Sequence, residues 1–219
     1  MVIWIKVAVW VLGLSPVGWG AWAFFADELG ANPVEALLHV AGRWGLAFLL
    51  LGLAVTPLRQ VTGWNAIIKT RRLLGLFGFF YVSLHFLVYL GLDLGFAWSF
   101  ILEDIAERPF ITVGFLSLLL LLPLALTSTR GWIRRLGRRW QILHRLVYPA
   151  AALGVLHFYW KVKADTFWPL VAAGALAVLL LMRTPGWVRK WKGRGKSVEN
   201  RRQQGGRTSP THLVRQTST

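Results

Sequence analysis

Apolar residues in this chain fall into six long runs separated by short polar connections. A helix that crosses a membrane needs about 20 largely apolar residues. Runs of that order occupy residues 7–25, 39–58, 73–92, 110–127, 141–160 and 167–182. The pattern predicts an all-α integral membrane protein built as a six-helix bundle. Pro57 is expected to close the second run, and Pro185 with Gly186 the sixth. Neither period-2 alternation nor an internal repeat is visible, so a β-barrel is not expected. The first run is too long for a signal peptide, and Lys6 is a weak positive start, so it reads as a retained span.

Composition agrees with lipid as the main solvent. Hydrophobic residues make up 55% of the 219 residues and charged residues 16%, against about 25% charged in a typical soluble domain. The remaining charge is strongly basic, with 25 Lys and Arg against 9 Asp and Glu. In a soluble protein that imbalance would suggest nucleic acid, but here it sorts by connection. Asp27, Glu28 and Glu35 follow the first run, and Arg59, Lys69, Arg71 and Arg72 follow the second. Asp93, Glu103, Asp104 and Glu107, with one Arg108, follow the third, and Arg130, Arg134, Arg135, Arg138 and Arg139 follow the fourth. Only Lys161, Lys163 and Asp165 dilute the alternation. Basic connections stay in the cytoplasm, so the pattern predicts both termini inside and the acidic connections outside. The chain divides into a transmembrane domain, residues 1–184, and a basic tail, residues 185–219, expected to be disordered and to rest on anionic headgroups.

Cysteine is absent, which excludes disulfides, thiolate zinc sites, Cys-ligated iron–sulfur clusters and covalent c-type haem. No acidic residue lies well inside a run, which argues against ion-coupled transport. Three histidines do lie in the runs: His85 in the third, His144 and His157 in the fifth. His39 is at an outer edge and His212 in the tail. A buried imidazole either bonds a neighbouring helix or ligates metal, and a bis-His haem needs one nitrogen from each of two facing helices. The third and fifth helices run parallel. At 1.5 Å per residue His85 lies roughly 20 Å beyond Arg72 and His157 roughly 27 Å beyond Arg139, so the two share a level. His144 lies only about 8 Å beyond Arg139 and cannot join them. Its place near Arg145, with Trp140 and Tyr148 one turn away, suits a second haem, a propionate, a quinone or a flavin, or a plain interhelical bond. Gly75, Gly78 and Gly154 are candidates for leaving room beside a macrocycle.

Several stretches together resemble one family: 53–59 (Leu-Ala-Val-Thr-Pro-Leu-Arg), 71–76 (Arg-Arg-Leu-Leu-Gly-Leu), 108–114 (Arg-Pro-Phe-Ile-Thr-Val-Gly), 136–148 (Leu-Gly-Arg-Arg-Trp-Gln-Ile-Leu-His-Arg-Leu-Val-Tyr) and 157–165 (His-Phe-Tyr-Trp-Lys-Val-Lys-Ala-Asp). In order and spacing they look like the haem-binding membrane subunits of bacterial protein-methionine-sulfoxide reductase systems, the MsrQ (YedZ) family of the ferric-reductase-like transmembrane superfamily. The resemblance implies a b-type cytochrome of the bacterial inner membrane that takes electrons from the quinone pool. It implies delivery to a periplasmic molybdopterin-dependent catalytic subunit that reduces methionine sulfoxide in oxidised proteins, and an associated flavin mononucleotide (FMN). His85, His144 and His157 match the family's membrane histidines. The superfamily's two-haem members carry two histidines on each ligand helix, whereas the third helix here has one.

Two other readings fit the residues. One is a self-contained transmembrane reductase of ferric iron or oxygen, although no dinucleotide fingerprint or soluble dehydrogenase domain follows the sixth run. The other is a cofactor-free anchor with buried histidines. If electrons leave on the outer face, Glu103, Asp104 and Glu107 are candidates for an acidic dock.

Overall fold

The computed structural model describes residues 2–162 and 165–183. Every regular element among them is helical: α1 (Val2–Phe25), α2 (Pro33–Thr62), α3 (Arg71–Val88), α4 (Trp98–Glu107), α5 (Pro109–Leu126), α6 (Arg130–Leu136), α7 (Arg138–Leu143), α8 (Val147–Lys161) and α9 (Phe167–Leu181). Short 3₁₀ turns cover Asn65–Thr70 and His144–Leu146, and a π-helical turn covers Tyr89–Asp93. Four segments are long and apolar enough to cross a membrane: Ile3–Phe25, Pro33–Thr62, Asn65–Asp93 and Pro109–Leu126. The apolar helix Phe167–Leu181 is shorter. Helical structure also runs without a break through α7, the 3₁₀ turn and α8. Residues up to Leu179 form one compact unit; the next begins at Leu180 and is described only to Arg183. The expected stop at Pro185 and Gly186, and the basic tail, lie outside the described residues.

Local signals explain the helix ends. Asn32 Oδ1 accepts the Glu35 N–H at 3.1 Å and Pro33 occupies the first helical position, so α2 starts with a satisfied cap. Pro57 does not close this helix. It is buried inside α2, which continues to Thr62 and ends where Gly63 adopts φ 71° and donates its N–H to the Arg59 carbonyl. A proline removes one backbone bond, which packing between membrane helices tolerates, whereas the left-handed glycine turns the chain. The acidic connection after the third run is not a plain loop either, because it contains α4.

α2 packs most extensively on α3, and α5 on α8. Missing side chains permit the first contact: a Cβ on Gly45 would stand 2.9 Å from Val82 Cγ2, and one on Gly78 2.8 Å from Leu49 Cδ2. Gly78 is therefore a helix-packing position rather than space for a macrocycle. Gly154 likewise faces Leu46 and Ser117, and only Gly75 opens on free space. In the second pair Ser117 Oγ donates to the Ala150 carbonyl at 2.8 Å. Leu46, Leu53, Ala151, Val155 and Leu176 form one core cluster, and Leu49, Leu121, Leu124 and Ala150 another. A third, Phe48, Phe77 and Tyr81, anchors α1 through Tyr81 Oη, which donates to the Gly13 carbonyl at 2.6 Å.

The two helix pairs repeat one another, which the sequence did not make visible. A constant offset of 72 residues relates Leu38 to Phe110, Gly42 to Gly114, Leu49 to Leu121, Gly78 to Ala150 and His85 to His157. The tripeptide Leu-His-Phe recurs at 84–86 and 156–158.

Candidate functional site

The repeat brings His85 of α3 and His157 of α8 together, their ring centres 5.9 Å apart and their planes at 79°. They lie at the acidic end of the bundle, where α2 and α5 begin and α3 and α8 finish. Each ring is held in the same way. His85 Nδ1 lies 2.9 Å from the Leu38 carbonyl and His157 Nδ1 2.7 Å from the Phe110 carbonyl, each 47 residues upstream. A carbonyl only accepts, so each Nδ1 carries the proton and each Nε2 keeps a bare lone pair. That is how proteins orient imidazole for a metal. Gly42 and Gly114 lie one turn beyond those carbonyls, and the rings rest against them: a Cβ would meet His85 Nδ1 at 3.2 Å and His157 Nδ1 at 2.7 Å. Metal–imidazole bonds are about 2 Å long, so these centres are near the spacing at which two imidazoles share one ion.

A polar network braces the same end. Tyr89, one turn past His85 in the π-helical segment, donates to Asp104 Oδ2 at 3.0 Å, and Asp104 Oδ1 pairs with Arg108 Nε at 3.0 Å. Thr112 bonds back to the Ile105 carbonyl. These contacts tie α4 to α3 and to the start of α5, the segment whose Phe110 carbonyl holds His157. Asp104 therefore belongs to the scaffold, its side chain only 15% exposed, and leaves the surface dock. Glu103 and Glu107 remain exposed on α4.

His144 lies apart from the pair, at the other end of α8. The 3₁₀ turn His144–Leu146 tightens the helical path of the expected fifth span without breaking it. The Trp140 ring stacks on His144, centres 3.8 Å apart, and Trp140 Nε1 donates to the Thr127 carbonyl at 3.0 Å. His144 Nδ1 donates to the Trp140 carbonyl at 3.1 Å, leaving Nε2 buried and without a hydrogen-bond partner. The Leu124 carbonyl, which accepts from Ser128 Oγ at 2.6 Å, also lies close enough to the His144 ring to act on it as a hydrogen-bond acceptor. A buried, unpartnered nitrogen of this kind costs about 1–3 kcal/mol.

Sequence reasoning missed four features. The Leu38 and Phe110 carbonyls are invisible because every residue has one. Gly42 and Gly114 were hidden among 22 glycines, although Leu-His-Phe repeated at a 72-residue spacing could have found them. Arg43, one residue past Gly42, is a cation inside a spanning helix, with its Nε on the His39 carbonyl at 3.2 Å. Half-buried Gln60 has a buried, unpartnered Oε1 near the basic end of α2. His39 is exposed, 3.9 Å from Glu35, outside the pair.

Known proteins resemble the chain over most of its length. Residues 41–155 match the family described as ferric reductase like transmembrane component. The protein-methionine-sulfoxide reductase heme-binding subunit MsrQ of Rhodospirillum rubrum is 53% identical over 194 residues, covering 88% of this chain and 93% of the relative. The MsrQ proteins of Xanthomonas euvesicatoria pv. vesicatoria and Xanthomonas oryzae pv. oryzae are 51% and 50% identical, covering 85% of this chain and 86% of each relative. No solved structure matches the chain. With more than half of its length inside the family match and relatives alike across most of both chains, the protein belongs to the MsrQ family of ferric-reductase-like transmembrane proteins.

Proposed function

We propose that this protein is a b-type membrane cytochrome carrying electrons from the quinone pool to a periplasmic molybdopterin-dependent methionine sulfoxide reductase. The observation that carries the reading is the juxtaposition of His85 and His157, each with Nδ1 on a carbonyl and Nε2 bare. Among the described residues no three metal-ligating side chains gather, so protein-only zinc chemistry lacks its ligand set. Two imidazoles suffice when a macrocycle fills the other positions, which is the haem case. A haem held by His85 and His157 would supply one-electron storage. The chain's own residues fix the tautomers, set the ring angle and seat the rings against Gly42 and Gly114.

The direction of transfer follows from charge. In our reading six helices cross the bacterial inner membrane, the sixth being α9 and the fifth the path through α7 and α8. Both termini are cytoplasmic, so the acidic end faces the periplasm. The His85–His157 pair then lies on the electron-delivering side. His144 lies on the receiving side, where Arg71 acts on it electrostatically and where quinol or FMN is to be met. The name of the relatives supplies the partner: a methionine sulfoxide reductase, for repair of oxidised periplasmic proteins.

An absorption spectrum of the purified protein tests the cytochrome reading, because a low-spin b spectrum is expected and its absence returns the chain to an anchor role. Co-purification with a molybdenum enzyme separates the shuttle from a self-contained reductase.

A further inference from the structure

The 72-residue repeat sets two corners beside the His85–His157 pair, one where α2 meets α8 and one where α3 meets α5. Their positions correspond, but their side chains do not. Ile111, Phe115 and Tyr89 at the α3–α5 corner are the counterparts of His39, Arg43 and Lys161 at the α2–α8 corner. The first corner is closed by the protein itself. Phe115 lies against Phe86, ring centres 5.5 Å apart, and Tyr89 donates to Asp104. The second corner is basic, and its three side chains are exposed.

Named contacts tie the basic corner to the pair. His39 and Arg43 lie one turn apart on α2, where Arg43 Nε donates to the His39 carbonyl at 3.2 Å. Gly42, beside Arg43, is the residue on which the His85 ring rests. Leu46, the next turn of the Arg43 face, faces α8, since a Cβ on Gly154 would stand 3.6 Å from its Cδ1. Lys161 follows His157 by one turn of α8, and its charge acts on His157, His85 and His39 alike. Glu35 is taken up by His39 at 3.9 Å and by Asn32 Nδ2 at 3.2 Å. Among the described residues no carboxylate pairs with Arg43 or Lys161. These two cations also stand at the end of the bundle whose connections are otherwise mostly acidic. A cation kept inside a spanning helix is costly unless a polar or charged group meets it. The macrocycle that two imidazoles imply brings such groups, because haem b carries two propionate carboxylates on one edge of an otherwise apolar ring.

We propose that Arg43 and Lys161, with His39 at the rim, bind the haem propionates and so fix which way round the macrocycle sits. The two-fold repeat alone would accept the ring in either of two orientations. The basic corner takes the acid edge, and Phe86 and Phe115 are left to the apolar edge. A guanidinium suits a carboxylate in particular, because its planar fork can donate two parallel bonds. The proposal rests on the bis-His haem reading and adds the residues that orient the haem.

The test uses the full-length protein in lipid nanodiscs, as wild type, Arg43→Gln, Lys161→Gln and the double variant. Each is loaded with haem b or with its dimethyl ester, in which both propionates are uncharged. Release is followed as transfer to excess apomyoglobin, while the low-spin bands report ligation by His85 and His157. Each single variant should release haem b about tenfold faster, the effect of one lost charge-assisted bond, with the low-spin bands kept. The ester should leave wild type and variants at one common rate. Arg43→Lys and Lys161→Arg keep the charge and should release haem b more slowly than the Gln variants. Equal acceleration for both haems would make the two cations packing elements, and no acceleration for either would assign them to lipid headgroups. Either result overturns the proposal and leaves the cytochrome reading in place. A wild type that takes up neither haem overturns that reading as well. Should Arg43→Gln fail to assemble, Lys161→Gln, at an exposed position in the last turn of α8, is held to the same outcomes.

Discussion

His85 and His157 meet nearly at right angles, planes 79° apart, each tied through Nδ1 to a carbonyl 47 residues upstream. Swivelling either ring to follow a ligand would break an interhelical bond. The site is set before any group enters it, and the repeat of α2–α3 by α5–α8 sets both halves alike.

The first prediction follows directly. Replacing either His85 or His157 by Ala should remove most of the haem, and replacement by Gln should not restore it, since an amide is a poor iron ligand beside imidazole. Haem-to-protein ratio and the low-spin absorption bands are the measurements. A full low-spin spectrum in both Ala variants would overturn the pairing.

The glycines make a sharper test, because the two halves are not equally tight. A Cβ at Gly114 would come 2.7 Å from His157 Nδ1 and 3.0 Å from Cε1, whereas one at Gly42 would stand 3.2 and 3.3 Å from the same atoms of His85. Overpacking costs about 1–3 kcal/mol, and at Gly114 the displaced atom is the one bonded to Phe110. Gly114→Ala should therefore lose more haem than Gly42→Ala. Equal loading of the two variants, or the reverse order, would remove the glycines from the site.

What the sequence made legible follows from what lipid demands. A spanning helix must satisfy its own backbone bonds over about 20 residues, so α1, α2, α3 and α5 were visible as runs. The level shared by His85 and His157 came from counting 1.5 Å per residue along parallel helices. Residues whose role depends on a neighbour rather than on their own type were not legible. Pro57 looked like a stop and is tolerated because α2 is packed. Asp104 looked like its neighbours Glu103 and Glu107, and only the fold sets it between Tyr89 and Arg108. Few of the equivalent positions in the two helix pairs keep the same residue, Gly42 with Gly114 and His85 with His157 among them, so the repeat shows only where Leu-His-Phe at 84–86 is set against 156–158.

That sorting of the acids leads to the third prediction. Asp104→Asn should destabilise the acidic end by about 1–3 kcal/mol, because it weakens the Arg108 ion pair and disturbs the Tyr89 bond in a half-buried place. Neutralising exposed Glu103 and Glu107 together should change stability by no more than about 0.5 kcal/mol. The surface pair should instead slow electron delivery to a soluble partner, with a difference that shrinks as salt rises. Thermal unfolding of each variant and a salt series of partner reduction separate the roles. Unchanged transfer in the Glu103/Glu107 variant at every ionic strength would leave these acids as marks of topology.

The last prediction concerns His144. It lies at the far end of α8 from His157, outside the pair, with the Trp140 ring stacked on it and Nε2 facing no partner. Removing the imidazole therefore leaves both rings of the pair, and the carbonyls that hold them, untouched. His144→Ala should keep the low-spin spectrum yet be reduced at least about tenfold more slowly by quinol or reduced flavin, the effect of losing a buried hydrogen bond of roughly 1.4 kcal/mol in the bound reductant. His144→Gln offers an amide where the lone pair was and should recover part of the rate. Stopped-flow reduction followed at the haem absorption band reads both. A His144→Ala variant that is reduced at the wild-type rate would make this histidine a packing residue, its orphaned nitrogen an uncompensated cost of closing the helix end around Trp140. A variant that loses the low-spin spectrum would instead mean that the two ends of α8 are coupled, so that the pair cannot be held without the 3₁₀ turn at its base.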